Sequence, residues 1–309
     1  MITSLFKKST PINYALVLLV VLFCFFLYHF DNAKPDFSVA DLIQKAGIFV
    51  IILASLFLSN FIAKKNSLSK DSAYTIFFFF LMLLFFPKLL DNGNLLVSNF
   101  FILLSTRRVL SLQSDSNQKE KVFDASLWVF AAALFHFWAI LFIFVVFVSV
   151  LFSAARDYRN WLLPFIAFIT VFIIFLLYSY AIDAAAIEVL IKKTTTSFKL
   201  DYFANTKENI AFSIFAAIAI YLIFSQIAAL PKKPIIVQSA YKIIILSLFV
   251  GIFVFLISPL KGNELLIFTF LPLAIMATNE VEGAKHKVRQ ELTVGVLIVC
   301  ALYLFISQL

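Results

Sequence analysis

The sequence predicts an all-α protein, a polytopic bundle of transmembrane helices that forms a single integral membrane domain over residues 1–309. Of its 309 residues, 63% are hydrophobic and 14% are charged, and its mean hydropathy is +1.01. Soluble domains carry about 45–50% apolar and about 25% charged residues. Apolar runs that approach the roughly 20 residues needed to cross a bilayer recur along the chain. These observations exclude soluble globular, disordered, collagenous and nucleic-acid-binding proteins.

Six apolar runs are long enough to predict transmembrane helices directly. They cover residues 13–30, 47–63, 161–182, 209–230, 242–258 and 292–309. The first run follows Lys7 and Lys8, as in a signal peptide, but it is too long and no small-residue cleavage site follows it. We therefore expect a retained first helix.

Five shorter runs complete the predicted bundle. They cover residues 74–86, 95–105, 125–136, 138–153 and 265–278, the last of which contains Pro272. Because most of them come in adjacent pairs, each pair is either two spans with frayed ends or a hairpin that enters the bilayer within protein. The total is about eleven membrane segments, including the short paired helices.

The positions of the basic residues predict the orientation. With the N-terminus in the cytoplasm, the cytoplasmic connections hold 17 of the 25 Lys and Arg residues, including every Arg. This asymmetry obeys the positive-inside rule, and a single helix over 124–153 would weaken it. We expect an inner-membrane protein with a cytoplasmic N-terminus and a periplasmic C-terminus. The net charge of +8 then reflects topology and attraction to anionic membrane lipids, with no nucleic-acid partner.

The sequence lacks the common cofactor and metal motifs. It contains no GxxxxGK[ST], GxGxxG, HExxH, CxxC or GxSxG motif. Three His residues are too few for the multi-histidine iron sites of fatty-acid desaturases and membrane-bound carotenoid-cleaving oxygenases. Cys24 and Cys300 lie in apolar runs and predict no disulfide. We expect no metal and no cofactor.

Phenylalanine is the most unusual feature of the composition. The chain has 40 Phe residues, including an unbroken run at 77–80. One interpretation is lipid-facing surface and packing between helices. The other is an aromatic groove for a polyprenyl or lipid chain.

The candidate catalytic residues are Asp31 and Asp36 in the first predicted outer loop. A carboxylate at the membrane surface can act as a general base toward an acceptor hydroxyl or bind a divalent ion. The alternative is that both are solvated loop acids, with Asp41 as the N-cap of the next helix.

Candidate substrate-binding residues lie in the other outer connections. Asp91 lies in an Asp-Asn-Gly turn, and Lys261 and Glu264 precede the run with Pro272. Lys192 and Lys193 follow an amphipathic stretch that could lie on the membrane, and they could capture a lipid-linked phosphate. His136 separates two short runs, where it either caps a helix or lines a site. The alternative for these residues is ordinary loop structure.

Two long stretches and the N-terminal segment carry a resemblance to known families. Residues 94–180 contain RR at 107–108, FDASLW at 123–128 and RNWLLP at 159–164, and residues 258–282 contain KGNELL followed by LPLA. With the opening MITSLFKKSTPIN, the whole chain resembles an uncharacterised family of multi-pass inner-membrane proteins from Bacteroidota. More distantly, its layout resembles the GT-C glycosyltransferases, which use polyprenyl-phosphate sugars. That resemblance implies a catalytic acid just after the first span, a position that Asp31 or Asp36 matches.

Three functions remain open at this point. The first is a GT-C-like protein acting at the outer face of the membrane in envelope glycan or lipid-linked sugar metabolism, with a polyprenyl-phosphate-linked sugar as substrate. The second is a non-catalytic scaffold or assembly subunit that binds another small membrane protein, favoured by the short outer loops and the lack of an outward-facing Arg. The third is a lipid or small-solute transporter.

Overall fold

A computed structural model describes residues 2–31, 39–114, 116–154, 157–196, 206–259, 261–284 and 286–309. Within these ranges the chain is helical and contains no β-strand. The α-helices are α1 (Ile2–Phe6), α2 (Pro11–Asp31), α3 (Val39–Lys65), α4 (Tyr74–Phe85), α5 (Gly93–Ser111), α6 (Gln118–Phe135), α7 (Ile143–Ser153), α8 (Arg159–Ala181), α9 (Ala186–Lys193), α10 (Thr206–Ala229), α11 (Ile235–Ile257), α12 (Phe270–Gly283) and α13 (Lys287–Gln308). Shorter 3₁₀ segments cover Pro87–Asp91, Phe137–Phe142, Leu230–Lys232 and Asn263–Thr269.

Seven of the described helical stretches are long and apolar enough to cross a membrane. They are Pro11–Phe30, Val39–Lys65, Arg159–Ala181, Thr206–Lys232, Val237–Ile257, Asn263–Gly283 and Lys287–Gln308. Six coincide with the six long apolar runs. The seventh contains the run with Pro272, because a 3₁₀ segment continues directly into α12. The all-helical, membrane-type fold is confirmed, whereas the count of about eleven segments and the GT-C-like arrangement stay predictions.

Contacts between residues divide the chain into two compact units. The first unit contains Met1–Leu96, Asp201–Gln238 and Phe270–Leu309, and the second contains Val97–Leu200 and Ser239–Thr269. The single membrane domain over residues 1–309 stays a prediction.

The first unit is built around α4. All twelve residues of α4 are buried, including the four consecutive phenylalanines at 77–80. The helix packs against α3, α12 and α13, and the ring of Phe79 meets that of Phe270 edge-on at 6.0 Å. Burial in protein explains how so short a helix is accommodated, since its length of about 18 Å is less than the roughly 30 Å hydrocarbon core. The phenylalanine run therefore packs between helices and is not lipid-facing surface.

The second unit contains a helical hairpin formed by α6 and α7. The helix breaks at His136, and the side-chain amide of Gln118 at the start of α6 donates to the carbonyl oxygen of Ser153 at the end of α7, 3.1 Å away. The chain therefore reverses direction between these helices, as the two-segment interpretation of residues 124–153 predicts. The buried ammonium of Lys121 donates to the carbonyl oxygen of Ser111 at 2.9 Å, which satisfies the C-terminal end of α5.

Candidate functional site

An apolar groove lies between α2 and α3 in the first unit. Its volume is about 440 Å³. Phenylalanine and leucine side chains of both helices form most of its wall, and two basic residues, His29 and Lys45, also line it. The lining residues are Leu22, Phe25, Phe26, His29, Phe30, Leu42, Lys45, Ala46 and Phe49. The groove thus combines an aromatic wall with one lysine and one histidine.

His29 connects this groove to one of the predicted site residues. Its Nδ1 lies 2.9 Å from the carbonyl oxygen of Phe25, and its Nε2 lies 3.0 Å from a carboxylate oxygen of Asp91. Both ring nitrogens of His29 therefore contact acceptor groups of the protein. Asp91 is therefore a partner of the first span as well as a turn residue.

The two candidate catalytic acids lie in the sequence between the groove residues of α2 and those of α3. Asp31 is the last residue of α2, two positions after His29. Asp36 lies outside the described residues, as does the side chain of Asp31. Their proposed role as a general base stays a prediction.

His136 and Lys193 come near each other in the second unit. The imidazole Nε2 of His136 lies 3.1 Å from the hydroxyl oxygen of Ser258, and its ring lies 5.7 Å from that of Phe268. Burial and, to a smaller extent, the positive charge of Lys193 lower the pKa of His136 to about 4. His136 lies outside the seven candidate spans and is held neutral at pH 7 by this environment.

The amphipathic stretch before Lys192 and Lys193 forms helix α9, which ends with these two lysines and has no buried residue. Just after it, the carbonyl oxygen of Thr195 accepts a hydrogen bond from the indole nitrogen of Trp138 at 3.3 Å. This contact ties the end of α9 to the segment that follows His136. The capture of a phosphate by the two lysines stays a prediction.

Lys261 precedes the 3₁₀ segment Asn263–Thr269 of the second unit, and Glu264 lies in the first turn of that segment. The carboxylate of Glu264 folds back over Gly262, where a Cβ would lie 2.9 Å from a carboxylate oxygen. A side chain at position 262 would thus displace Glu264. The substrate-binding role of this pair also stays a prediction.

A second, larger cavity, to which none of the predicted site residues contributes, lies in the first unit between α10, α12 and α13. Its volume is about 630 Å³, and Glu280 lies in its wall with the side chain only 7% exposed. The carboxylate of Glu280 accepts hydrogen bonds from Tyr221 at 2.9 Å, from Arg289 at 2.5 Å and from Ser225. An acid near the end of an otherwise apolar span was the signal that could have identified this site, because such acids are costly without partners.

Lys233 lines the same cavity. It donates to the side-chain oxygen of Asn279 at 3.0 Å. Burial lowers the pKa of Lys233, and the charge of Glu282 partly offsets this effect. In the described part of the chain, no group of three or more His, Cys, Asp or Glu side chains is arranged to hold a metal ion.

Comparison with known proteins gives one match. The model of a family of unknown function, DUF6427, matches residues 1–309. The chain belongs to this family. The prediction of an uncharacterised family is thereby confirmed, and the DUF6427 match extends over both compact units. No curated protein and no solved structure matches the chain.

Proposed function

We propose that this protein acts at the outer face of the inner membrane in envelope glycan or lipid-linked sugar metabolism. In this proposal the groove between α2 and α3 seats a polyprenyl-phosphate-linked sugar. The observation that carries the proposal is the composition of the groove, an aromatic wall with His29 and Lys45 beside it.

The aromatic wall supports a polyprenyl chain as the occupant. Phe25 and Phe49 form part of the wall with ring centroids 5.2 Å apart, whereas Phe26 and Phe30 are exposed. A groove open to the lipid can admit a long chain from the side, which a closed cavity could not do. Burial of an apolar chain against such rings contributes about 25 cal/mol per Å².

Lys45 supports a phosphate at the end of that chain. It lies on α3, whereas both ring nitrogens of His29 on α2 already contact Phe25 and Asp91. Lysine binds phosphate as a point charge. An anionic headgroup therefore complements this part of the groove better than a neutral one.

A glycosyl transfer at this position would need a base, which the proposal assigns to Asp31 or Asp36. The carboxylate accepts the proton of an acceptor hydroxyl while the hydroxyl oxygen forms a bond to the anomeric carbon of the donor sugar. The bond from that carbon to the phosphate oxygen breaks, and its electron pair leaves with the polyprenyl phosphate. The position of Asp31 supports this assignment, because Asp31 is the last residue of α2 and directly follows two groove residues.

The lipid part of the proposal is tested by filling the groove. The full chain and the variant Ala46→Trp, which places an indole in the groove, are purified in mild detergent, and bound lipid is identified by native mass spectrometry. We expect a polyprenyl phosphate on the unmodified protein and little on the variant. Leu19→Trp is the matched control, because Leu19 is an exposed residue of α2 outside the groove. Bulk phospholipid alone on both proteins would contradict the proposal.

The catalytic part is tested by removing both acids. Asp31→Asn combined with Asp36→Asn should abolish the cellular function of the gene while lipid binding remains, because the amides cannot accept the proton. Asp183→Asn is the control, an acid on the same predicted side whose carboxylate oxygen accepts a backbone hydrogen bond that an amide oxygen can also accept. Intact function in the double variant, together with a stable complex with another membrane protein, would favour the assembly-subunit alternative.

A further inference from the structure

The cavity between α10, α12 and α13 has an excess of positive charge. Lys232, Lys233 and Arg289 line it together with one carboxylate, that of Glu280. Lys232 is exposed at the end of the span Thr206–Lys232. Three cations that share one carboxylate in a cavity favour an anionic ligand over a cationic one.

The carboxylate of Glu280 does not oppose such a ligand, because protein groups already satisfy it. Tyr221, Ser225 and Arg289 all donate to Glu280. Tyr221 and Ser225 lie one turn apart on α10 and so present their hydroxyls on the same face of the helix. The network fixes the guanidinium of Arg289 at the edge of the cavity.

Donors remain available in this cavity. The described contacts of Arg289 to Glu280 and Tyr221 both use Nη2, whereas a guanidinium has five N–H donors. Gln226 lines the same cavity and is only 3% exposed. Within the described residues its side-chain Nε2 is buried and has no hydrogen-bond partner. A buried amide donor without a partner is costly, so a ligand acceptor at this point would gain a bond that the protein leaves unmade.

We infer that this cavity binds a phosphate group, held by Lys232, Arg289 and the amide of Gln226. Arg289 offers its remaining N–H fork to two phosphate oxygens, and Gln226 donates to a third from the buried side. The cavity lies at the end of the spans that the sequence predicts to be cytoplasmic. The phosphate belongs either to an anionic lipid headgroup or to a soluble phosphate. The inference is independent of the groove between α2 and α3.

The test measures thermal stability of the full chain in maltoside micelles, which contain no phosphate. One arm adds inorganic phosphate at constant ionic strength. The other adds phosphatidylglycerol to the micelles and compares it with diacylglycerol, which lacks the phosphate. A ligand that binds the folded state raises the melting temperature, and the rise grows with the logarithm of the ligand concentration relative to its Kd. A response to inorganic phosphate identifies a soluble ligand, and a response to phosphatidylglycerol alone identifies a lipid headgroup.

Two variants connect the response to the cavity. Gln226→Leu should weaken binding about fivefold while leaving the ligand-free melting temperature unchanged or higher, since it removes an unpaired buried amide. Lys232→Gln should weaken binding about tenfold. Lys65→Gln is the matched control, because it removes one charge from an exposed lysine at the end of α3, outside the cavity. Absence of a response to both ligands, or wild-type responses in both cavity variants, would overturn the inference.

Discussion

The direction of one hydrogen bond decides the role of His136. The hydroxyl of Ser258 has a single proton, which it donates to the carbonyl oxygen of Val254 at 2.7 Å. The contact between Ser258 and His136 Nε2 at 3.1 Å therefore needs the proton on the imidazole nitrogen. Ser258 acts as an acceptor here, so the pair orients the imidazole and does not activate a serine nucleophile.

The lowered pKa of His136 predicts a pH-dependent stability. The histidine in the unfolded chain has a pKa of about 6.5, whereas the folded protein lowers it to about 4. Between these values the unfolded state binds more protons, so stability is fully present above pH 6.5 and is lost as the pH falls toward 4. The loss should be on the order of 3 kcal/mol at most. Thermal unfolding in detergent between these pH values measures it.

Two histidine variants separate this effect from general acid sensitivity. His136→Gln should flatten the pH dependence, since the variant has no proton to bind at that position. His286→Gln is the control, because His286 is exposed at the N-cap of α13 and should leave the dependence as it is. Equal slopes in the wild type and the His136 variant would exclude His136 as the cause.

Residue pairs formed by tertiary packing could not be predicted from the sequence. His29 and Asp91 are 62 positions apart, and only the packing of the 3₁₀ segment Pro87–Asp91 beside α2 brings them together. The sequence around Asp91 predicts a turn, which is correct locally, but it contains no signal for the partner. The carboxylate of Glu280 accepts hydrogen bonds from three residues of α10 and α13. The position of this acid in an apolar stretch was the one local indication that it has such partners.

At the scale of elements, hydropathy located the helices well and their ends poorly. The apolar run at 125–136 lies in α6, yet α6 begins at Gln118 and includes Lys119, Glu120 and Lys121. A helix continues as long as its backbone hydrogen bonds are favourable, whereas hydropathy registers only the apolar part of it. The 3₁₀ segments Phe137–Phe142 and Asn263–Thr269 were missed for a related reason, because they are largely apolar like the helices that follow them.

The close approach of α11 to the segment Asn263–Thr269 predicts the effect of a small substitution. A Cβ at Gly251 would lie 3.0 Å from a methyl carbon of Thr269 and 3.1 Å from the backbone carbonyl of Phe268. Backbone atoms cannot move aside as a side chain can, so Gly251→Ala should destabilise the protein by about 1–3 kcal/mol. Chemical unfolding in detergent gives this difference.

The matched substitution is Gly295→Ala in α13. Its new methyl group would meet nothing within 4 Å, and alanine is the better helix former. We expect this variant to gain about 0.5–1 kcal/mol. If both variants change stability in the same direction, close backbone packing at Gly251 is not the cause.

At the scale of the whole molecule, polar contacts in the first unit limit the ways in which the chain can cross the membrane. Each of four contacts joins two residues that the sequence predicts to lie on the same side of the membrane. They are Lys64–Asp71 at 2.9 Å, Ser72–Glu282 at 2.6 Å, His29–Asp91 at 3.0 Å and Lys88–Glu208 at 2.5 Å. The first two lie on the predicted cytoplasmic side, and the last two lie on the predicted outer side.

These contacts bear on the number of crossings. Asp71 lies beside the end of α3 and Asp91 beside the end of α2, so the short helix α4 carries the chain from one end of the first unit to the other. Because Lys88 meets Glu208, the chain between them must cross an even number of times. The long span α8 alone would give an odd number, so we expect shorter helices among α5, α6 and α7 to contribute. The predicted count of about eleven satisfies this condition and stays a prediction.

Labelling of single cysteines in the full chain tests this threading. The variants Asp71→Cys and Asn94→Cys replace exposed residues on the two sides of α4, and Ser116→Cys replaces an exposed residue between α5 and α6. A maleimide that cannot cross the inner membrane should label position 94 in cells with a permeabilised outer membrane, and should label positions 71 and 116 only after lysis. The native residues Cys24 and Cys300 lie within spans, and the unmodified chain measures their background. Equal labelling at positions 71 and 94 would mean that α4 does not cross, and the predicted sidedness of every later segment would then be reversed.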